Sequence, residues 1–459
     1  MLRALLVGAN NFLQGGSMVV LICGTGLYFT LKTGVFQVRG FSFIWRNTAG
    51  TLLAPDGKQK SGGLSPFQAV STALAGTMGV GNIAGVATAL TLGGPGSIFW
   101  MWLSSFFGMM TKYAEISLAV KFRRLNPEGG FLGGPMYYMR EGLRMPLMGG
   151  IFAAICALCS FGVGNMTQIN AVSAAARGAF GVPAWQSGVV ASVIVACVIF
   201  GGIKRIARMA ELTIPFITIA FIACSITALL RNSAFIGGAF SLIFEGAFSL
   251  RSAGGGIMGY GMLAALRYGV ARGVFTNEAG MGSSSIAHAS AECKSPAHQG
   301  AWGIFEVFLD SNVVCTLTGL VLLTAKGGTL WHSGPDGVDM TSEAFVSVFG
   351  PAGAVFIAVS VMVFAIAGML GWCLYGETSV GYLTSRSKAA ILIYRLIFVL
   401  CTFAGAVSDL RAIWGMADAL NALLAIPNII AVLMLRREVA LPAACPGKRR
   451  RRRVTQSRE

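Results

Sequence analysis

Four short stretches of this chain hold residues able to do chemistry, and all of them sit in apolar surroundings. The first reads Gly76-Thr77-Met78-Gly79-Val80-Gly81-Asn82-Ile83-Ala84-Gly85. Each glycine weakens a helix by about 1 kcal/mol relative to alanine. Four of them in ten residues therefore favour a break over a continuous rod. A broken helix frees backbone amides that suit an anion and carbonyls that suit a cation. At membrane depth such a break is tolerated only against protein or a watery cavity. Small residues also permit close helix packing, and the segment alone is divided between the two readings. Its Gly79-x-Gly81 spacing imitates a dinucleotide loop but lacks the strand and βαβ setting that loop requires.

The second stretch is Thr276-Asn277-Glu278. A carboxylate in an apolar span is costly and faces a partner or a cavity. Glu278 either pairs with Arg267 or Arg272 or takes part in ion coupling or gating. The third holds Asn165, Thr167, Gln168 and Asn170. Asn165 and Gln168 share a helical face and can hydrogen-bond a substrate ammonium or carboxylate, or equally a neighbouring helix. The fourth, Asp310-Ser311-Asn312, offers an acceptor for a cation. Trp372, after Gly371, supplies either a rigid apolar wall with one N–H donor or an interface anchor. His288, His298 and His332 show no metal-ligand spacing, and no Ser-His-Asp set converges, so no enzyme is expected. The ten cysteines are scattered; Cys156 and Cys159 lie mid-run, and they read as small core residues.

The elements that must position these residues are apolar throughout. The 459-residue chain is 55% hydrophobic and 12% charged, with mean hydropathy +0.70. Soluble domains carry roughly 25% charged residues. Eleven runs, near 12–31, 66–90, 96–120, 147–177, 184–203, 212–230, 254–280, 299–325, 352–376, 389–407 and 411–435, are each long enough to cross a hydrocarbon layer of roughly 30 Å as a helix. Segments 235–250 and 341–350 read as surface helices. The fold class is thus an all-α polytopic membrane protein. The first run, Phe12–Leu31, reads as a retained helix, because it lacks a basic start followed by a small-residue cleavage site.

The net charge of +17 does not point to nucleic acid, because the basic residues gather at the ends of the runs. One side collects Lys32, Arg39, Arg46, Lys58, Lys60, Lys121, Arg123, Arg124, Arg140, Arg144, Lys204, Arg205, Arg208, Lys294, Arg386 and Lys388. The Lys448–Arg453 tail follows on that side and suits anionic lipid headgroups. The positive-inside bias puts the C-terminus in the cytoplasm, and an odd count puts the N-terminus outside.

The second and seventh runs both contain Asn-x-Ala-Gly, at Asn82 and Asn277, and both are interrupted by glycine. Five runs begin with each, so the two sets have opposite topology. That is the pattern of an inverted-repeat carrier with a midplane site; a channel would conduct without saturable uptake. The implied organisation is an N-terminal helix and loop (1–64), a first repeat (65–231), an external amphipathic segment with the second repeat (232–435), and a basic tail (436–459).

The chain resembles the alanine or glycine:cation symporter family of bacteria and archaea from about Leu64 to Leu435. The resemblance rests on Thr77–Ala89, Gly93–Trp102, Gly133–Tyr138, Gly273–Gly282 with Ile286-Ala-His288, Gly371-Trp372 with Tyr375-Gly-Glu377, and Asn421–Asn428. It implies a LeuT-like fold, with ten core helices in two inverted halves and one extra N-terminal helix, in the inner membrane. It implies uptake of a small neutral amino acid driven by a cation, with no cofactor beyond that sodium ion or proton; membrane lipids are the expected surroundings. By resemblance the substrate meets Thr77, Gly79, Gly81, Asn82, Gln168, Phe275, Thr276 and Trp372. Gly76, Asn277, Glu278 and Asp310 are candidates for ion coupling. One departure stands out. Members typically carry a Ser-Thr pair shortly before Gly-Trp, where this chain has Ala367 and Gly368. Neither has a side-chain oxygen for a hard cation, so a changed ion mode is expected, with Glu278 or Asp310 as proton carriers or a sodium bound elsewhere.

Overall fold

A computed structural model describes residues 16–52, 63–127, 129–248, 258–333, 335–408 and 410–442. Within the described residues, which leave out 12–15, every apolar run named above overlaps a helix. They are α1 (Gly16–Lys32), α2 (Pro66–Thr77) with α3 (Gly81–Gly93), α4 (Gly96–Lys121), α5 (Pro146–Phe180), α6 (Ala184–Ile199) and α7 (Gly202–Arg231). After the surface helix α8 (Ile236–Phe248) come α9 (Met258–Asn277), the short α10 (Ser285–Ala289), α11 (Pro296–Gly328), the second surface helix α12 (Gly337–Phe349), α13 (Pro351–Leu383), α14 (Lys388–Val407) and α15 (Leu410–Met434). Five of these are single helices long and apolar enough to cross a membrane, and α2 with α3, bent by 50°, adds a sixth. The sixth run starts earlier than expected, because the stretch carrying Lys204, Arg205 and Arg208 is already helical. The first residues of the run at 254–280 lie outside the described residues.

Burial is arranged as a membrane demands. The outward faces of α1, α6 and α14 present Val20, Leu31, Val190, Val193, Ile393 and Leu400. Polar groups such as Lys112, Glu306, Asp310 and Asn428 are fully enclosed. Hydrocarbon imposes no penalty on the first set and excludes the second unless they are paired. The core is built by α4 against α9 and α11, α5 against α13, α6 against α14, and α7 against α2. Helix α12 packs on α13, and its Phe345 joins Phe221, Phe356 and Phe364 in an aromatic cluster.

Helix α2 starts on a complete capping box. Gln68 N donates to Ser65 Oγ at 3.0 Å, and Ser65 N donates to Gln68 Oε1 at 3.1 Å, with Pro66 at the first helical position. Just before it, Leu64 forms a parallel bridge with Ala291, beyond α10. Leu64 N donates to Ser290 O (3.1 Å) and Glu292 N to Leu64 O (2.7 Å). Arg123 holds the far strand by donating to Ala289 O (3.1 Å) and Ala291 O (2.5 Å). The two broken elements, α2–α3 and α9–α10, are thereby tied at one end.

Candidate functional site

The first break falls at Met78-Gly79. Met78 is extended (φ −74°, ψ 92°), and the chain re-enters a helix through a π-helical turn at Gly81–Gly85. Of the two readings of this glycine-rich segment, the structure takes the break. Asn82 closes it locally by accepting from Gly79 N at 3.1 Å. Gln168 of α5 reaches across, and its Oε1 accepts from Val80 N at 3.2 Å. Glycine is required here for contact. A Cβ on Gly79 would lie 2.9 Å from Gln168 Oε1, and one on Gly81 would lie 2.8 Å from Thr276 Cγ2 and 3.2 Å from the Phe275 ring. The break thus touches α5 on one side and α9 on the other. Thr77 turns its hydroxyl back to Ala73 O (3.2 Å), a buried position at the lip of the break.

The second break runs from Glu278 to Ser284, between α9 and α10. Glu278 takes a left-handed φ of 54°, which is strained for a residue with a Cβ. Its carboxylate accepts from Ser283 Oγ at 2.5 Å. Among the described residues no ion pair joins it to Arg267 or Arg272, so the salt-bridge alternative fails. Asn277 Oδ1 accepts from Ala279 N (3.0 Å), and its amide donates to Ser311 Oγ (3.0 Å). Thr276 bonds back to Gly273 O (2.8 Å) and lies 3.4 Å from Ser311 Oγ.

A π-helical run in α11, Phe308–Cys315, joins the two breaks. Asp310 Oδ1 accepts from Asn82 Nδ2 at 2.7 Å, and its Oδ2 accepts from Ser311 Oγ at 2.8 Å. Asp310, Asn82, Ser311, Thr276 and Asn277 are all buried. Asp310, Ser311 and Thr276 carry side-chain oxygens, the ligand type a hard cation takes.

The other wall comes from α13. Trp372 is 1% exposed, so it is an interior wall and no interface anchor. It lies on Gly164, where a Cβ would come within 2.1 Å of its own Cβ, and Gly164 sits in a third π-helical turn, Gly162–Met166. Gly371 meets Gly76 so closely that a Cβ would lie 2.8 Å from Gly76 N. One turn earlier, a Cβ on Gly368 would be 3.4 Å from Ala75 O and from Gln168 Oε1. A side chain at 368 would therefore face the last carbonyls of α2, and no hydroxyl is present there or at Ala367. The remaining amides of α5 do a different job. Asn165 donates to Phe398 O (2.7 Å) and Asn170 to Gly405 O (3.2 Å) and Ser408 O (2.9 Å). Both brace α5 against α14, and only Gln168 of that group reaches the break.

Sequence reasoning missed the groups that hold the second break. Lys112 of α4, 0% exposed, donates to Asn277 O at 2.8 Å and pairs with Glu306 at 3.2 Å. A cation on a C-terminal carbonyl stabilises the end of α9. Glu306 also accepts from His288 Nε2 (2.9 Å), and Gln299 donates to His288 Nδ1 (2.8 Å). Tyr138 donates to Asn428 Oδ1, whose amide donates to Glu115 (2.5 Å) and Gly280 O (2.8 Å). Lone charges at 112, 115 and 306 inside apolar runs were the available signal.

Two backbone breaks inside an all-helical apolar bundle, with polar side chains converging on both, are the pattern of a membrane transporter. The solved structure of MhsT in complex with L-phenylalanine shares the architecture, with a TM-score of 0.60 at 14% identity, covering 82% of this chain and 90% of that one. The fold is therefore LeuT-like. The chain belongs to the sodium:alanine symporter family, whose model matches residues 1–445. It is 40% identical to the sodium/alanine symporter AgcS of Methanococcus maripaludis, over 93% of each chain. It is 35% identical to the "Probable sodium/glutamine symporter GlnT" of Bacillus subtilis, over 94% of this chain and 88% of that one.

Proposed function

We propose that this protein takes up a small neutral amino acid, alanine or glycine, by symport with a cation. The working orientation is N-terminus outside and C-terminus cytoplasmic in a bacterial inner membrane. The observation that carries the substrate reading is the Met78–Gly81 break, whose backbone is approached by Gln168, Phe275 and Thr276. Amides at the break bind the substrate carboxylate. On this reading the bulky neighbours of the break reject longer amino acids by clash. AgcS at 40% identity supports alanine. GlnT at 35% makes glutamine the rival substrate, which competition against labelled alanine uptake separates.

The coupling ion binds at the Asp310 cluster. Two observations favour this place over the usual one beside α13: the missing hydroxyls at Ala367 and Gly368, and the buried carboxylate joining Asn82 to Ser311. Either a sodium ion or a proton can serve there. The test is uptake of labelled alanine and glycine into proteoliposomes under an imposed sodium gradient or an imposed proton gradient. Uptake under sodium alone assigns sodium, and uptake under a proton gradient alone assigns protonation of Asp310 or Glu278. Loss of ion dependence in Asp310→Asn supports the cluster; unchanged dependence sinks it. No uptake of either amino acid under either gradient sinks the substrate reading.

A further inference from the structure

We propose that His288 is a proton-operated latch on the second break: neutral, it helps to hold the end of α9, and protonated, it releases that end. The proposal deepens the transport reading above and rests on it. His288 is 0% exposed and lies on α10, just beyond the break. Its Nε2 is 2.9 Å from Glu306 Oε2, and its Nδ1 is 2.8 Å from Gln299 Nε2. An amide nitrogen only donates, and an ionised carboxylate only accepts. The ring therefore donates at Nε2 and accepts at Nδ1, which is the neutral imidazole.

The same pocket holds what the charged ring needs. Gln299 is 0% exposed, and among the described residues its Oε1 has no hydrogen-bond partner. A buried orphan acceptor is costly. A half-turn of the Gln299 amide presents that oxygen to Nδ1, which then carries a proton. A bare Nε2 would in that case face the Glu306 carboxylate, acceptor against acceptor, so the rotated amide suits only the imidazolium. The two amide orientations thus select the two charge states. Imidazole is the side chain whose charge ordinarily changes between about pH 5 and 8.

A chain of contacts carries the change to α9. Glu306 pairs with Lys112 at 3.2 Å, and Lys112 donates to Asn277 O at 2.8 Å. With a neutral ring, one carboxylate serves one ammonium. With an imidazolium, two cations share that carboxylate, and the trio is left with one unbalanced positive charge in low dielectric. The other ionisable groups around α10 are Glu115 on α4, Glu278 in the break, Tyr375 on α13, Arg123 after α4 and Glu292, and none of them is hydrogen-bonded to the ring. Helix α2, which also packs on α10, carries no ionisable residue. Water entering this end relieves the unbalanced charge, so the imidazolium favours the open form. His288 lies three residues before Ala291, whose bridge to Leu64 ties the two broken elements. On the orientation proposed above, that end is cytoplasmic. Each transport cycle closes it once, so acid slows the cycle.

The test uses the full-length protein. The chain has three histidines, His288, His298 and His332. Magnetic resonance of isotope-labelled histidine rings in nanodiscs separates them, and His298→Gln and His332→Gln assign the third signal. His288 is expected as the neutral Nε2–H form at about pH 8 and as imidazolium at about pH 6. In proteoliposomes loaded with unlabelled alanine, with equal sodium and equal pH on both sides, exchange of tritiated alanine is expected to fall about threefold or more over that range. His288→Gln, which keeps a neutral donor toward Glu306, is expected to lose that fall. A His288 signal that stays neutral to about pH 6 overturns the latch. So does a fall of equal size in His288→Gln, and both results leave the transport reading intact. Absence of exchange in every version at every pH removes the transport reading and the latch together.

Discussion

The two breaks are built from opposite materials. The first is lined by glycines and closed by neutral amides, Asn82 and Gln168, which hydrogen-bond the chain at Gly79 and Val80. The second is surrounded by ionisable groups, with Lys112 on Asn277 O, Glu306 and His288 behind it, and Glu115 reached through Asn428. A neutral, glycine-lined gap keeps its backbone available at little cost and can exchange partners with a ligand. A gap pinned by a buried ion pair is rigid, because removing either charge strands the other in low dielectric. On the proposed reading, the first break is the adaptable binding surface and the second the fixed support. Asp310 in α11 is the link between them.

The largest effect should come from the support. Lys112→Met leaves Glu306 buried without its cation and is expected to destabilise the protein by about 3–5 kcal/mol, seen as loss of monodisperse protein and a lowered melting temperature. A variant as stable as the wild type would show that the second break does not depend on the ion pair. Next comes Gly81→Ala, which forces a Cβ to 2.8 Å from Thr276. Overpacking costs about 1–3 kcal/mol, but here uptake should fall more than stability, because the clash is at the contact between the breaks. Gln168→Ala leaves the Val80 amide without its partner, at about 1–3 kcal/mol. Melting should fall, though less than in Lys112→Met, and a half-saturation concentration raised roughly tenfold or more places Gln168 on the substrate. The smallest effect on transport is expected from Asn165→Ala. It should lower the melting temperature by releasing α14 and leave half-saturation unchanged; a shift in half-saturation would move Asn165 into the site. Gly368→Ser sharpens the ion question, since the new hydroxyl would face Ala75 O. Stronger dependence on sodium there would mark a latent second ion position.

Much of this was legible in the sequence, and for physical reasons. Apolar run length located the helices because hydrocarbon tolerates few alternatives. Glycine density located the first break because a helix resists so many of them. Asn165 and Gln168 share a face and looked equivalent, but Asn165 lies within a π-helical turn and Gln168 just after it, and one bonds to α14 and the other to the break. The three π-helical turns among the described residues, at Gly81–Gly85, Gly162–Met166 and Phe308–Cys315, fall on candidate residues. Such turns gather at functional positions, but they leave no fixed residue pattern. The pairing of Lys112 with Glu306 was hidden for another reason: both charges were visible, and only the packing of α4 on α11 brings them together.

The bridge between Leu64 and Ala291 has a consequence for measurement. Its two backbone hydrogen bonds tie the start of α2 to the chain beyond α10. Any swing of that end of α2 away from its counterpart must part them, while the rest of each helix keeps its own internal bonds. The amide protons of Leu64 and Glu292 are therefore a built-in stopwatch. Their exchange with deuterated solvent should run at the rate at which this end of the bundle opens, far faster than the protons buried within α13, and should slow when substrate holds the bundle shut.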